Sequence, residues 1–143
     1  MRRVSIIIAV CAVLALAVGL IGQGRDLDTI MKEIGPLWGT PQAAGLSQAL
    51  DSPTPDTAKI AADAAKLQAL FTEAEGQFTK LKMTEAAGMA KAESEAAGAL
   101  AKEAKTGKIA DAKAAKTSVG ACKACHGKYR EPDPNGGFKL KQQ

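Results

Sequence analysis

The sequence predicts an all-α chain folded as an antiparallel four-helix bundle. Alanine is abundant and aromatics are scarce, with one Trp, one Tyr and three Phe. The β-branched aliphatics gather between Val4 and Val18, which leaves little from which to build strands. Elsewhere apolar residues recur at helical spacing in four stretches separated by turn residues, and no stretch shows strand alternation. The connections are short, which makes neighbouring helices antiparallel. A core rich in alanine has a specific weakness. Each buried Ala removes little apolar area, and burial stabilises by roughly 25 cal/mol per Å². Such a bundle gains from something large and apolar in its middle.

The chain opens on Arg2 and Arg3, followed by an uncharged, mostly apolar run over residues 4–22; the first acidic residue is Asp26. With small residues at Ala17 and Gly19, this pattern predicts a secretory signal over residues 1–19. An uncleaved anchor is the alternative, since the run is close to the roughly 20 residues that cross a bilayer. Either way the rest of the chain is expected on the far side of the membrane, the periplasm. Cys11 lies inside this segment, preceded by Ile8, Ala9 and Val10, a poor match to a lipid-attachment site.

The first helix is expected after Gly24, with Leu27, Ile30, Met31, Ile34, Leu37 and Trp38 on one apolar stripe. Pro36 should bend or interrupt it. Gly39-Thr40-Pro41 marks a break, and 43–50 reads as a further helical piece. Residues 51–55 form a loop, with Thr54 or Asp56 as cap for the second helix. There Ile60, Ala64, Leu67, Phe71, Ala74, Phe78 and Leu81 alternate steps of four and three, the seam of left-handed bundle packing. A third helix runs from Thr84 to about Lys105, with a weak stripe at Ala86, Met89, Ala96 and Leu100; Gly107 ends it. The fourth is expected from about Lys108 to Arg130, with Ile109, Val119, Cys122, His126 and Tyr129 on overlapping faces. Pro132, Pro134, Gly136 and Gly137 stop it, which makes 132–143 a loose tail.

Charge divides the chain. Residues 25–101 carry a net −4 and residues 102–143 a net +6. Without residues 1–19 the total is +2, too little for nucleic-acid binding by charge alone.

The basic end holds Cys122-Lys123-Ala124-Cys125-His126, the C-x-x-C-H pattern of covalent haem attachment. On a helix, residues three and four apart share a face, so two thiols can reach the two vinyl groups of one porphyrin while the imidazole comes beneath its iron. Competing explanations are weaker. A structural zinc site wants four ligands, and this chain offers two nearby Cys and its sole His. A thioredoxin-like pair needs a βαβ setting. A disulfide between Cys122 and Cys125 would be strained within a helix.

Residues 119–130, Val119-Gly120-Ala121-Cys122-Lys123-Ala124-Cys125-His126-Gly127-Lys128-Tyr129-Arg130, resemble the C-terminal signature of the class II c-type cytochromes, the cytochrome c′ family. Met31-Lys32-Glu33-Ile34-Gly35 is similar to that family's first-helix motif. The resemblance spans about residues 25–131 as the cytochrome domain. Pro36 in the first helix departs from it, as does a connection between the second and third helices that lacks the usual Trp and Pro.

The resemblance implies a bundle enclosing one covalently attached haem c, on Cys122 and Cys125, with His126 as proximal axial ligand. It gives the distal position to Met31, which on its spacing alone is a gap-filling core residue. Met83 and Met89 are expected to serve packing. Arg130 shares the face of His126 and is implied beside the proximal imidazole, or else is a solvated base at a helix end. Trp38 and Tyr129 are candidates for haem contact. Lys123 and Lys128 are expected exposed, where the basic end would steer an acidic redox partner. The expected role is electron carriage, with no enzymatic turnover and no nucleic acid. Association with the membrane follows only if the N-terminal segment stays uncleaved, and family members often form homodimers. Two alternatives stay open: a five-coordinate haem protein that binds nitric oxide or carbon monoxide, and a haem-free helical interaction protein.

Overall fold

The computed structural model describes residues 25–41, 44–120, 122–134 and 137–141. The expected export segment, with Cys11, lies outside them. The chain is mostly helical, and among the described residues there are six helices and one two-stranded antiparallel sheet.

Helix α1 (Leu27–Trp38) starts where the Asp26 carboxylate accepts the Thr29 N–H at 2.8 Å. Pro36 does not interrupt it. Only the donor of Pro36 itself is lost, the Gly39 N–H still donates to the Gly35 carbonyl at 2.9 Å, and Gly35 has no Cβ to crowd the following proline ring. A single turn, α2 (Leu46–Ala49), stands for the piece expected over 43–50. Gly45, before it, presses on the backbone of α1's end. A Cβ there would lie 2.5 Å from the Gly39 nitrogen and 2.7 Å from the Trp38 carbonyl carbon.

The two long helices, α3 (Thr57–Lys80) and α4 (Thr84–Lys105), pack on each other and form the framework. Asp56 caps α3, accepting the Lys59 N–H at 2.9 Å. The expected seam is buried from Ile60 through Phe78, and Leu70 joins it; Leu81 is 53% exposed because α3 stops at Lys80. The stop is built by Lys82, at φ +59°. The Met83 N–H reaches back to the Phe78 carbonyl and the Lys82 N–H to that of Thr79, at 2.9 and 3.0 Å, which closes a Schellman turn.

On α4 the buried positions are Ala86, Ala90, Glu93, Ser94, Ala97, Leu100 and Ala104. Ala86 and Leu100 were expected there; Met89 and Ala96 lie at the edge of the core. Small residues let α3 and α4 approach closely enough for Ser94 Oγ to reach Thr72 Oγ1 at 2.8 Å and the Gln68 carbonyl at 3.2 Å. Helix α1 lies against α3, and Arg25 ties them by reaching Glu33 and Glu73 together.

The expected fourth helix is two. Helix α5 (Ile109–Lys116) and helix α6 (Cys122–Tyr129) are separate elements lying against α4. The break has a local cause: Thr117 turns its hydroxyl back onto the Ala114 carbonyl at 2.7 Å, and Gly120 takes φ +143°. Val119 between them is buried, so the kink is pinned to the core.

Arg130 begins a strand rather than ending a helix. Strands β1 (Arg130–Pro132) and β2 (Phe138–Leu140) pair antiparallel, with Arg130 opposite Leu140 and Pro132 opposite Phe138. A segment expected to be loose from residue 132 thus carries a hairpin. The Lys141 N–H extends it by donating to the Tyr129 carbonyl at 2.9 Å.

Candidate functional site

Helices α1, α3, α4 and α6 meet on an apolar cavity of about 200 Å³. Helical periodicity accounts for each contribution. Met31, Ile34, Gly35 and Trp38 come from one face of α1; Phe71 and Phe78, two turns apart, from α3; Met89, Ala90 and Glu93 from α4; Cys122, Cys125 and His126 from one face of α6. A larger cavity, about 820 Å³, shares Met31, Gly35, Phe78, Cys125 and His126 with the first, and its far side is made by Tyr129, Arg130 and strand β2.

Every residue singled out from the sequence as a site candidate lines one or both spaces. Cys122 and Trp38 face the smaller, Tyr129 and Arg130 the larger, and Cys125, His126 and Met31 both. Met89, expected to serve packing only, lines the smaller cavity as well. Met83 packs against the core and lines neither. Lys123 and Lys128 are exposed as expected, and Lys128 pairs with Glu85 on α4.

The two thiols are free and half-buried. Burial, and after it the Glu93 carboxylate, pushes Cys122 up to about 11 and raises Cys125 in the same direction. Both are therefore neutral thiols near pH 7. His126 is held below its ordinary 6.5, by partial burial first and by the Arg130 charge second, although its residue surface is largely exposed to the open cavity. A neutral imidazole keeps a lone pair to offer. Arg130 Nη1 lies 3.3 Å from His126 Nδ1. Arginine only donates, so Nδ1 accepts in this contact only in the tautomer that carries the ring proton on Nε2. Among the described residues no three His, Cys, Asp or Glu side chains converge as a group able to hold a metal by themselves.

Glu93 was not anticipated. It is 5% exposed, and its two carboxylate oxygens accept the Gly120 N–H at 3.0 and 3.2 Å. The stretch Val119-Gly120-Ala121 offers no side-chain oxygen to the amides at the start of α6. A neighbouring helix supplies one instead, where negative charge favours a helix N-terminus. On α4, Glu93 falls in the gap that the apolar stripe leaves between Met89 and Ala96.

Comparison with known proteins yields no matching family model, no matching curated protein and no matching solved structure.

Proposed function

We propose that this chain is a monohaem c-type cytochrome that carries electrons in the periplasm, with haem c bonded to Cys122 and Cys125 and its iron held by His126 and Met31. One observation carries the proposal. Two free thiols a helical turn apart, the chain's sole imidazole and a thioether from another helix open onto two adjoining cavities, the smaller of them apolar.

The residues suit that group. Trp38, Phe71 and Phe78 offer flat apolar surface to a macrocycle, and the larger space falls within the roughly 300–1,000 Å³ common for bound cofactors. Haem c, when bound, supplies a one-electron couple. The protein's part is to hold and tune it. His126 presents a neutral ring nitrogen, Met31 a soft thioether that favours the reduced state relative to a second imidazole, and the aromatic residues exclude water. On the same ground α1, α3, α4 and the α5–α6 pair are the four helices of an antiparallel bundle around the haem. Residues 1–19 direct export, as a cleaved signal or as an anchor. Exposed lysines of the basic end, Lys123 among them, steer an acidic redox partner.

Met31 on its spacing alone is a gap-filling residue, and it packs against the core, which supports a second reading. In that reading the iron is five-coordinate, Met31 only shields it, and a small gas such as nitric oxide or carbon monoxide enters.

The test is the full chain matured with haem, its mass, and its absorption spectrum oxidised and reduced with and without carbon monoxide. The carrier shows one covalent haem and a six-coordinate low-spin spectrum that resists the gas, and Met31→Ala turns it high-spin. Rapid carbon monoxide binding with a spectrum indifferent to Met31→Ala establishes the gas-binding reading. Colourless protein with both thiols open to alkylation removes both.

A further inference from the structure

Arg130 is held in a way that leaves its charge uncancelled. Its guanidinium carbon lies 3.4 Å from the centroid of the Phe138 ring, and its Nη1 reaches His126 Nδ1 at 3.3 Å. It forms no ion pair among the described residues, while Glu131 pairs with Lys139 at 3.6 Å, Glu85 with Lys128, and Asp28, which lines the same cavity, with Lys32 at 2.6 Å. An aromatic face fixes a guanidinium without neutralising it, whereas a carboxylate would do both. Phe138 is 56% exposed, so core packing does not account for its place. The hairpin does. Phe138 stands opposite Pro132 in the ladder, and Lys141, next along, binds the His126 helix twice. Its N–H donates to the Tyr129 carbonyl at 2.9 Å and its ammonium to the Gly127 carbonyl at 2.8 Å.

We propose that Phe138 is a positioning residue: it parks the Arg130 guanidinium beside His126 as a standing positive charge, and the C-terminal hairpin thereby sets how readily the centre takes an electron. The consequence for electron affinity rests on the cytochrome reading above. A histidine that gives one ring nitrogen to a metal carries its proton on the other. That N–H cannot accept from an arginine, so the contact at 3.3 Å does not by itself keep the guanidinium in place. Stacking on Phe138 makes no such demand. A cation fixed close to the centre disfavours its more positive, oxidised state.

The experiment measures the midpoint potential of the full haem-loaded chain by spectroelectrochemistry. Arg130→Gln lowers the potential and gives the size of the whole effect. Phe138→Ala and Phe138→Leu raise the oxidised-to-reduced ratio at a fixed electrode potential roughly three- to tenfold. Phe138→Trp, which keeps a ring face, stays at the wild-type value. Phe138→Ala placed on the Arg130→Gln background adds nothing. A wild-type potential in either Phe138→Ala or Arg130→Gln overturns the proposal, and so does a Phe138→Ala shift that persists in full without Arg130. The haem-free chain gives an independent readout by NMR. Its Arg130 δ-methylene protons carry the upfield shift of a ring face, lost in Phe138→Ala. That shift in a colourless protein upholds the positioning contact while the cytochrome reading fails; its absence from the wild-type chain overturns the contact whatever the colour.

Discussion

Glu93 does two jobs at the level of a single side chain. It takes the Gly120 N–H and it places a negative charge near both thiols. Glu93→Ala is expected to cost the haem-free protein about 1–3 kcal/mol, because a part-buried donor then lacks its acceptor. Glu93→Gln keeps an acceptor and should cost less; guanidinium unfolding of both variants measures the difference. The charge acts separately. Removing it in Glu93→Gln takes away the second cause of the raised Cys122 value, so that value falls from about 11 but stays above 9.0, since burial, the larger cause, remains. More thiolate at a given pH means faster reaction with iodoacetamide, and an unchanged rate would show that the carboxylate does not act on the thiol. The thiols and the imidazole stood out by their spacing and Met31 only by the resemblance, and all four line the cavities. Glu93 was not legible, because glutamate on an Ala-, Lys- and Glu-rich helix reads as solvated surface until the partner helix is known. Phe138 was hidden for another reason: a tail broken by Pro132, Pro134, Gly136 and Gly137 gives no local sign of the ladder that pairs its two ends.

Among the elements, those with strong apolar periods were readable, as were the breaks at Asp56, Thr84 and Gly107, whereas the joint inside the expected fourth helix was not. Helix α3 follows its expected seam for five turns' worth of buried positions, and α1 keeps its stripe despite Pro36. The fourth predicted helix failed at Thr117 to Gly120, where a hydroxyl back-bond and a positive φ outweigh the weak periodicity of an alanine-rich stretch. The break before Thr84 was legible, but the turn that makes it was not, because a lysine occupies the left-handed position that glycine usually takes. That misfit gives a direct test. Lys82→Gly relieves the left-handed strain and is expected to raise stability by about 0.5–1 kcal/mol, visible as a higher denaturant midpoint with an unchanged m-value. Lower stability would mean that the lysine side chain contributes more than its backbone costs.

For the molecule as a whole, three carboxylates secure one helix start and two junctions between elements. Asp26 caps α1 through the Thr29 N–H, Asp51 takes Lys116 and so joins the α2 turn to α5, and Glu85 takes Lys128 and so joins α4 to α6. Each partner holds its carboxylate below the ordinary range. In the unfolded chain these groups return to ordinary values, 3.8 for the aspartates and 4.5 for the glutamate. Their contribution is therefore complete above those values and is lost as pH falls through the lowered, folded ones. The guanidinium midpoint of the haem-free chain should drop between about pH 5 and pH 3, and the triple variant Asp26→Asn, Asp51→Asn, Glu85→Gln should flatten that drop. An equally steep profile in the variant would assign acid sensitivity to other groups. The Schellman turn at Lys82 also orders events in time. It brings α3 and α4 together across a three-residue link, a pairing of low contact order that forms early and fast. The segment bearing Cys122 and His126, with longer loops to close, docks on that wall afterwards.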